Sequence, residues 1–151
     1  MGQLSFFKEV DQKKTQQAVV DALERYRFYK HMYFEERETS VTASYGERVG
    51  GSSNSITDQT AEIAIYNVDE KKYRHEFCEN VERIVESMPR LERLLIKERY
   101  LTVEYEYITD LHVYTFVFDP PISEPTYSKI RWRAFMRLAT KLQLVVKKDG
   151  D

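Results

Sequence analysis

Proline and glycine are scarce in this chain and clustered, and nothing else confines its secondary structure so strongly. Gly46, Gly50 and Gly51 fall in one short stretch, and the four prolines are Pro89, Pro120, Pro121 and Pro125. Between these breakers, apolar residues recur at helical rather than alternating spacing. Asp11 suits the cap of a first helix reaching about Glu36, with Ala18, Val19, Ala22, Leu23, Tyr26, Tyr29 and Tyr33 along one side. A face this long and aromatic needs a partner surface, either the rest of the chain or a second copy. The spacing predicts an all-α protein.

Four segments follow from the same signals. Residues 1–38 carry the N-terminal helix. Residues 39–56, with their Gly and Ser, read as a flexible linker or loop. Residues 57–88 form a central helical region, either one helix or two broken near Asn67–Asp69, and Pro89 ends it. Residues 89–151 hold the C-terminal part. There a compact helix over 89–101 turns Leu91, Leu94, Leu95 and Ile96 inward. Thr102 fits the cap of a further helix to about Phe118, although the β-branched and aromatic content of Val103–Phe118 also suits a strand. Asp119-Pro120-Pro121 makes a turn. Gln143–Lys148 is a short strand or a frayed end.

Ile122–Leu142 is the segment most informative about function. Ser123 can accept from the free amides of a first helical turn, where Glu124 and Pro125 also fit. Tyr127, Ile130, Ala134, Phe135, Leu138 and Leu142 form an apolar face. Thr126, Ser128, Lys129, Arg131, Trp132, Arg133 and Arg137 are left wholly or partly outside. Glu124 is the only acid against five cations from Lys129 to Lys141. Ordinary amphipathic surface helices carry mixed charge. A polar first turn followed by clustered cations suits a helix in a DNA major groove, whose start reads base edges while later cations meet phosphates. With a tight turn and a supporting helix before it, the layout is that of a helix-turn-helix.

Overall charge is −2 and argues for no nucleic acid by itself, but its distribution does. Residues 123–151 hold seven cations and three acids, and the remainder sixteen cations and twenty-two acids. Positive potential therefore concentrates at the C-terminal end. The single Cys78 leaves no intramolecular disulfide. No run has membrane-spanning length, and the expectation is a cytoplasmic protein.

The segments Ser87–Leu101, Ile122–Tyr127 and Arg133–Ala139 resemble the ArpU family, transcriptional regulators of phages and prophages in Gram-positive bacteria. They are also similar to the promoter-reading C-terminal domain of sigma factors, where an Arg-Tyr-Leu helix end precedes an Ile-Ser-Glu-x-Thr turn. Glu24–Arg27 and Ser55–Asp58 extend the resemblance over nearly the whole chain. It implies long N-terminal helices followed by a sigma-region-4-like helix-turn-helix. It implies a sequence-specific regulator of late or lysis genes in the host cytoplasm. Carried over by position, Ser123, Glu124, Thr126, Ser128, Lys129, Arg131, Trp132 and Arg133 would face DNA, and Arg137 joins them from the basic face. The chain departs from the usual pattern in its turn, where Phe118-Asp119-Pro120-Pro121 stands in place of a glycine before Ile122-Ser123.

Other chemistry is weakly indicated. His75 and Cys78 lie three apart without a second ligand pair, so a packed cysteine beside a surface histidine is preferred to zinc. Glu35-Glu36-Glu38 and Glu104-Glu106 read as solvated faces. No phosphate loop, nucleophile elbow or metalloprotease motif is present. The expectation is no enzyme, no metal and no cofactor. Trp132 either packs over the core edge or contacts a sugar or thymine methyl. The expected partners are double-stranded DNA, RNA polymerase and a second copy in a homodimer, with no membrane. Two other functions compete with the regulator: a protein–protein adaptor using the same basic helix, and a DNA-packaging recognition subunit.

Overall fold

The structure, a computed structural model, describes the backbone of residues 9–43 and 58–149 and the side chains of 9–33 and 67–149. Among these residues it is helical, with one isolated β-bridge. The elements are α1 (Gln12–Ala43), α2 (Asp58–Glu86), α3 (Arg90–Leu95, prolonged by a widened turn over Ile96–Tyr100), α4 (Asp110–His112, prolonged over Val113–Val117) and α5 (Glu124–Lys141). A single 3-10 turn, Tyr105–Tyr107, precedes α4. Helix α1 runs on to Ala43, past the expected boundary at residue 38, and α2 is one unbroken helix. Of the loop expected over 39–56, residues 39–43 are helical and 44–56 lie outside the described residues.

The chain divides into two compact units, Met1–Arg27 with Val81–Asp151, and Phe28–Asn80. The first is thus larger than the segment 89–151, because the start of α1 and the end of α2 belong to it. Asp11 caps α1 as the sequence suggests, its carboxylate accepting from the Lys14 amide at 3.0 Å. Val19, Ala22, Leu23 and Tyr26 are buried at i, i+3, i+4 and i+7. They share a core with Val81, Ile84, Val85, Leu95, Ile96 and the inner face of α5. Thr15, fully buried, closes this unit: its hydroxyl accepts from the Val146 amide at 3.0 Å and donates to the Val146 carbonyl at 3.3 Å. The bridge Val10–Lys147 lies alongside, so residues 143–148 form neither a full strand nor a frayed end.

In the second unit, the ring of Tyr29 meets those of Tyr73 and Phe77 edge-on. Tyr33 stacks on His75, whose Nε2 lies 2.9 Å from Glu79. Cys78 is buried. No group of three His, Cys, Asp or Glu able to hold a metal occurs among the described residues, and none of their helices is long and apolar enough to cross a membrane.

Candidate nucleic-acid interface

Helix α3 faces the core along Glu92, Leu95, Ile96 and Tyr100, all buried. Leu91 is one residue off that stripe and 41% exposed, correcting the expectation that it points inward. The stripe admits a carboxylate because Arg137 of α5 meets it: Arg137 Nε donates to Glu92 Oε1 at 2.9 Å. Lys141 of α5 reaches the Ser87 hydroxyl at 3.3 Å. The last turn of α3 widens, with the Leu101 amide donating to the Ile96 carbonyl. The Tyr100 carbonyl accepts from Arg27 Nη1 at 2.6 Å.

The helix expected from Thr102 or Val103 begins instead at Asp110. Thr102 is taken up by a tight turn, its hydroxyl accepting from the Glu104 amide. The guanidiniums of Arg27 and Arg99 lie over the Tyr105 ring, 3.7 and 4.7 Å from its centroid. Thr109 is the cap, accepting from the His112 amide at 3.1 Å. The strand alternative for Val103–Phe118 is not adopted.

Asp110, the first residue of α4, gathers three donors. Arg99 Nε lies 3.1 Å and the Tyr127 hydroxyl 2.6 Å from Oδ1, and Arg131 Nη1 lies 3.2 Å from Oδ2. One carboxylate thereby joins the end of α3, the start of α4 and the first turns of α5. Burial, then the hydrogen bond to Asp110, holds the Tyr127 hydroxyl well above the ordinary phenol range. Burial pushes Tyr100 up to about 12, with the Asp110 charge adding to it. Tyr127 also packs against Tyr114 and Phe118.

The turn between α4 and α5 is short. It contains a cis Asp119–Pro120 bond and is closed by the Ile122 amide donating to the Tyr114 carbonyl at 3.1 Å. Ser123 caps α5, accepting from the Thr126 amide at 3.4 Å and donating to the Thr126 hydroxyl at 2.9 Å. At the other end Gln143 takes a left-handed φ of 59°. The Leu144 amide donates to the Ala139 carbonyl and the Gln143 amide to that of Thr140, the pairing of a Schellman cap.

The residues expected to face DNA separate into two groups. Ser123, Glu124, Thr126, Lys129, Arg133 and Arg137 are exposed, and Thr126, Lys129, Arg133, Arg137 and Thr140 form one outward stripe at helical spacing. Ser128 and Trp132 are half-buried. Arg131 is the correction. Only 29% of its side chain is exposed, and it is ion-paired to Asp110. It lies four residues from buried Tyr127 and four from buried Phe135, which places it on the inner side of the helix. The cations expected wholly or partly outside are thus not equivalent: Arg131 is engaged internally, Arg137 is held at one nitrogen, and Lys129 and Arg133 have no ion pair among the described residues. Sequence reasoning missed Glu92 and Asp110. Glu92 stands three residues before buried Leu95 and Asp110 three before buried Val113, a spacing that puts each on an inner face but does not identify its distant donors.

Over 142 residues the chain is 24% identical to a protein of Listeria innocua named as an uncharacterized phage-related protein, covering 93% of this chain and 94% of the relative. No family model matches, and no solved structure matches.

Proposed function

We propose that this chain is a sequence-specific DNA-binding regulator of phage or prophage genes, with α4, the turn and α5 acting as a sigma-region-4-like helix-turn-helix. The observation that carries the reading is the outward stripe Thr126, Lys129, Arg133, Arg137, Thr140 on a helix whose capped start is also exposed. That is the polarity a major-groove helix needs: hydroxyls at the start for base edges and backbone, cations later for bases and phosphates. The similarity to a phage-related protein supports the phage setting, and the resemblance to ArpU regulators points to late or lysis genes in the host cytoplasm. The role needs no catalysis, metal or cofactor, and a homodimer would read a two-fold site.

Binding-site selection from random duplexes, followed by gel shift on the enriched sequence, tests this. Enrichment of one motif is expected, with a log–log salt slope of about −3 if Lys129, Arg133 and Arg137 each meet a phosphate. Absence of any shift at low salt defeats it. Arg133→Ala should cost about 1–3 kcal/mol on the selected site if Arg133 contacts a base in bidentate fashion. Enrichment of packaging-site DNA alone would favour the packaging subunit.

One observation favours an adaptor as the second reading, through an apolar surface around α4 rather than the basic helix. Val103, Tyr107, Leu111 and Phe116 are large, apolar and exposed around α4, and Val103 is 98% exposed. Co-purification with RNA polymerase that survives Arg133→Ala would support it.

A further inference from the structure

We infer that Glu92 is a positioning residue for DNA binding: it holds Arg137 by Nε so that the terminal nitrogens of the guanidinium present a preset fork to a phosphate. The inference rests on the DNA-binding reading above and concerns how one contact of that surface is built.

The geometry separates the two ends of the side chain. Glu92 lies on the buried stripe of α3, its side chain 8% exposed, and accepts from Arg137 Nε at 2.9 Å. The Arg137 side chain is 52% exposed, and its guanidinium makes no other hydrogen bond among the described residues. Its place in the outward stripe, one turn beyond Arg133, is toward the helix end where cations meet backbone rather than bases. An arginine anchored through Nε keeps the planar edge that matches two phosphate oxygens. Freezing that edge before binding removes ordering entropy that a free surface arginine would lose on contact. Arg131 is different: its terminal nitrogen is the one committed to Asp110. Lys141, a point charge with a hydroxyl partner, has no such fork.

The test is a double-variant cycle read on a mixed-sequence duplex at low salt, where phosphate contacts dominate. Circular dichroism establishes that each variant is folded. Arg137→Ala should lower affinity and make the salt slope shallower by about 0.9. Arg137→Lys, with the charge kept and the fork lost, should retain the slope yet bind about 3–10-fold more weakly, the net worth of one typical hydrogen bond. Glu92→Ala should weaken binding similarly, while Glu92→Gln, whose amide oxygen still accepts from Nε, should bind close to the native protein. Combining Glu92→Ala with Arg137→Ala should do no more than Arg137→Ala alone. If Glu92→Ala does not fold, the same cycle with Glu92→Asp decides. Additive losses, an unchanged slope in Arg137→Ala, or native affinity in Arg137→Lys would each overturn the inference. Failure of the native protein to bind any duplex would instead remove the regulator reading itself.

Discussion

Arg131 and Arg137 stand six residues apart on one helix, each facing one carboxylate, and the two sites behave as opposites. Arg131 meets a shared acceptor that also holds Arg99 and Tyr127, and most of its surface is covered. Arg137 meets an acceptor of its own and remains half in water. Charge count treats them alike. Which side of the helix each occupies decides whether the cation closes the fold or stays available to a ligand. Both sites should therefore bear on stability, since Glu92 is buried, but only the outer one should bear on binding.

The largest effect that could break this division is Asp110→Ala. Three donors lose their acceptor, and two of them are half-buried arginines. A loss of about 3 kcal/mol is expected, lowered somewhat because the Asp110 side chain is 35% exposed. Denaturant titration checks it. A loss below about 0.5 kcal/mol, the range of an ordinary surface substitution, would mean that the inner site is not structural.

Alkaline titration comes next. The folded-state values of Tyr100 and Tyr127 are raised, so the unfolded chain ionises first as pH climbs past the ordinary phenol value near 10. Stability is fully present below that pH and falls by roughly 1.4 kcal/mol per pH unit for each tyrosine, for Tyr100 until about pH 12. Tyr127→Phe should lower stability at pH 7 by about 1–2 kcal/mol and flatten the alkaline decline. Urea unfolding at several pH values would show an unflattened slope if Tyr127 were already ionisable in the native state.

Much of this was legible in the sequence. Asp11 and Ser123 announce their caps by residue type ahead of an apolar period, and the inner face of α5 follows from spacing alone. Three features were not. Glu92 is buried because Arg137, forty-five residues away, supplies its donor, and no local pattern encodes that pairing. Thr102 and Thr109 are the same cap-forming residue type, yet only Thr109 starts a helix, while the stretch between them is a turn with Tyr105 beneath the guanidiniums of Arg27 and Arg99. Arg131 looks exposed in a list of cations, yet its place between Tyr127 and Phe135 puts it inside.

Exchanging the two arginines for alanine sharpens the comparison directly. Arg131→Ala should cost about 1–2 kcal/mol of stability, because Asp110 retains two other donors. Once folded, that variant should bind duplex DNA with the native salt slope. Arg137→Ala should shift the slope, and any stability cost comes from leaving buried Glu92 without a donor. Equal changes in slope for the two variants would erase the distinction.

The smallest expected effect supplies the control. Gln143 occupies a left-handed position that favours glycine, just beyond the end of α5. Gln143→Gly should raise stability by about 0.5–1 kcal/mol by removing the Cβ penalty, offset in part by the freer unfolded chain. It touches neither Asp110 nor Glu92, so thermal unfolding should move while duplex affinity and salt slope do not. If affinity rose with stability here, the binding losses of the arginine variants would reflect how well α5 is ordered rather than which of its sides meets the ligand.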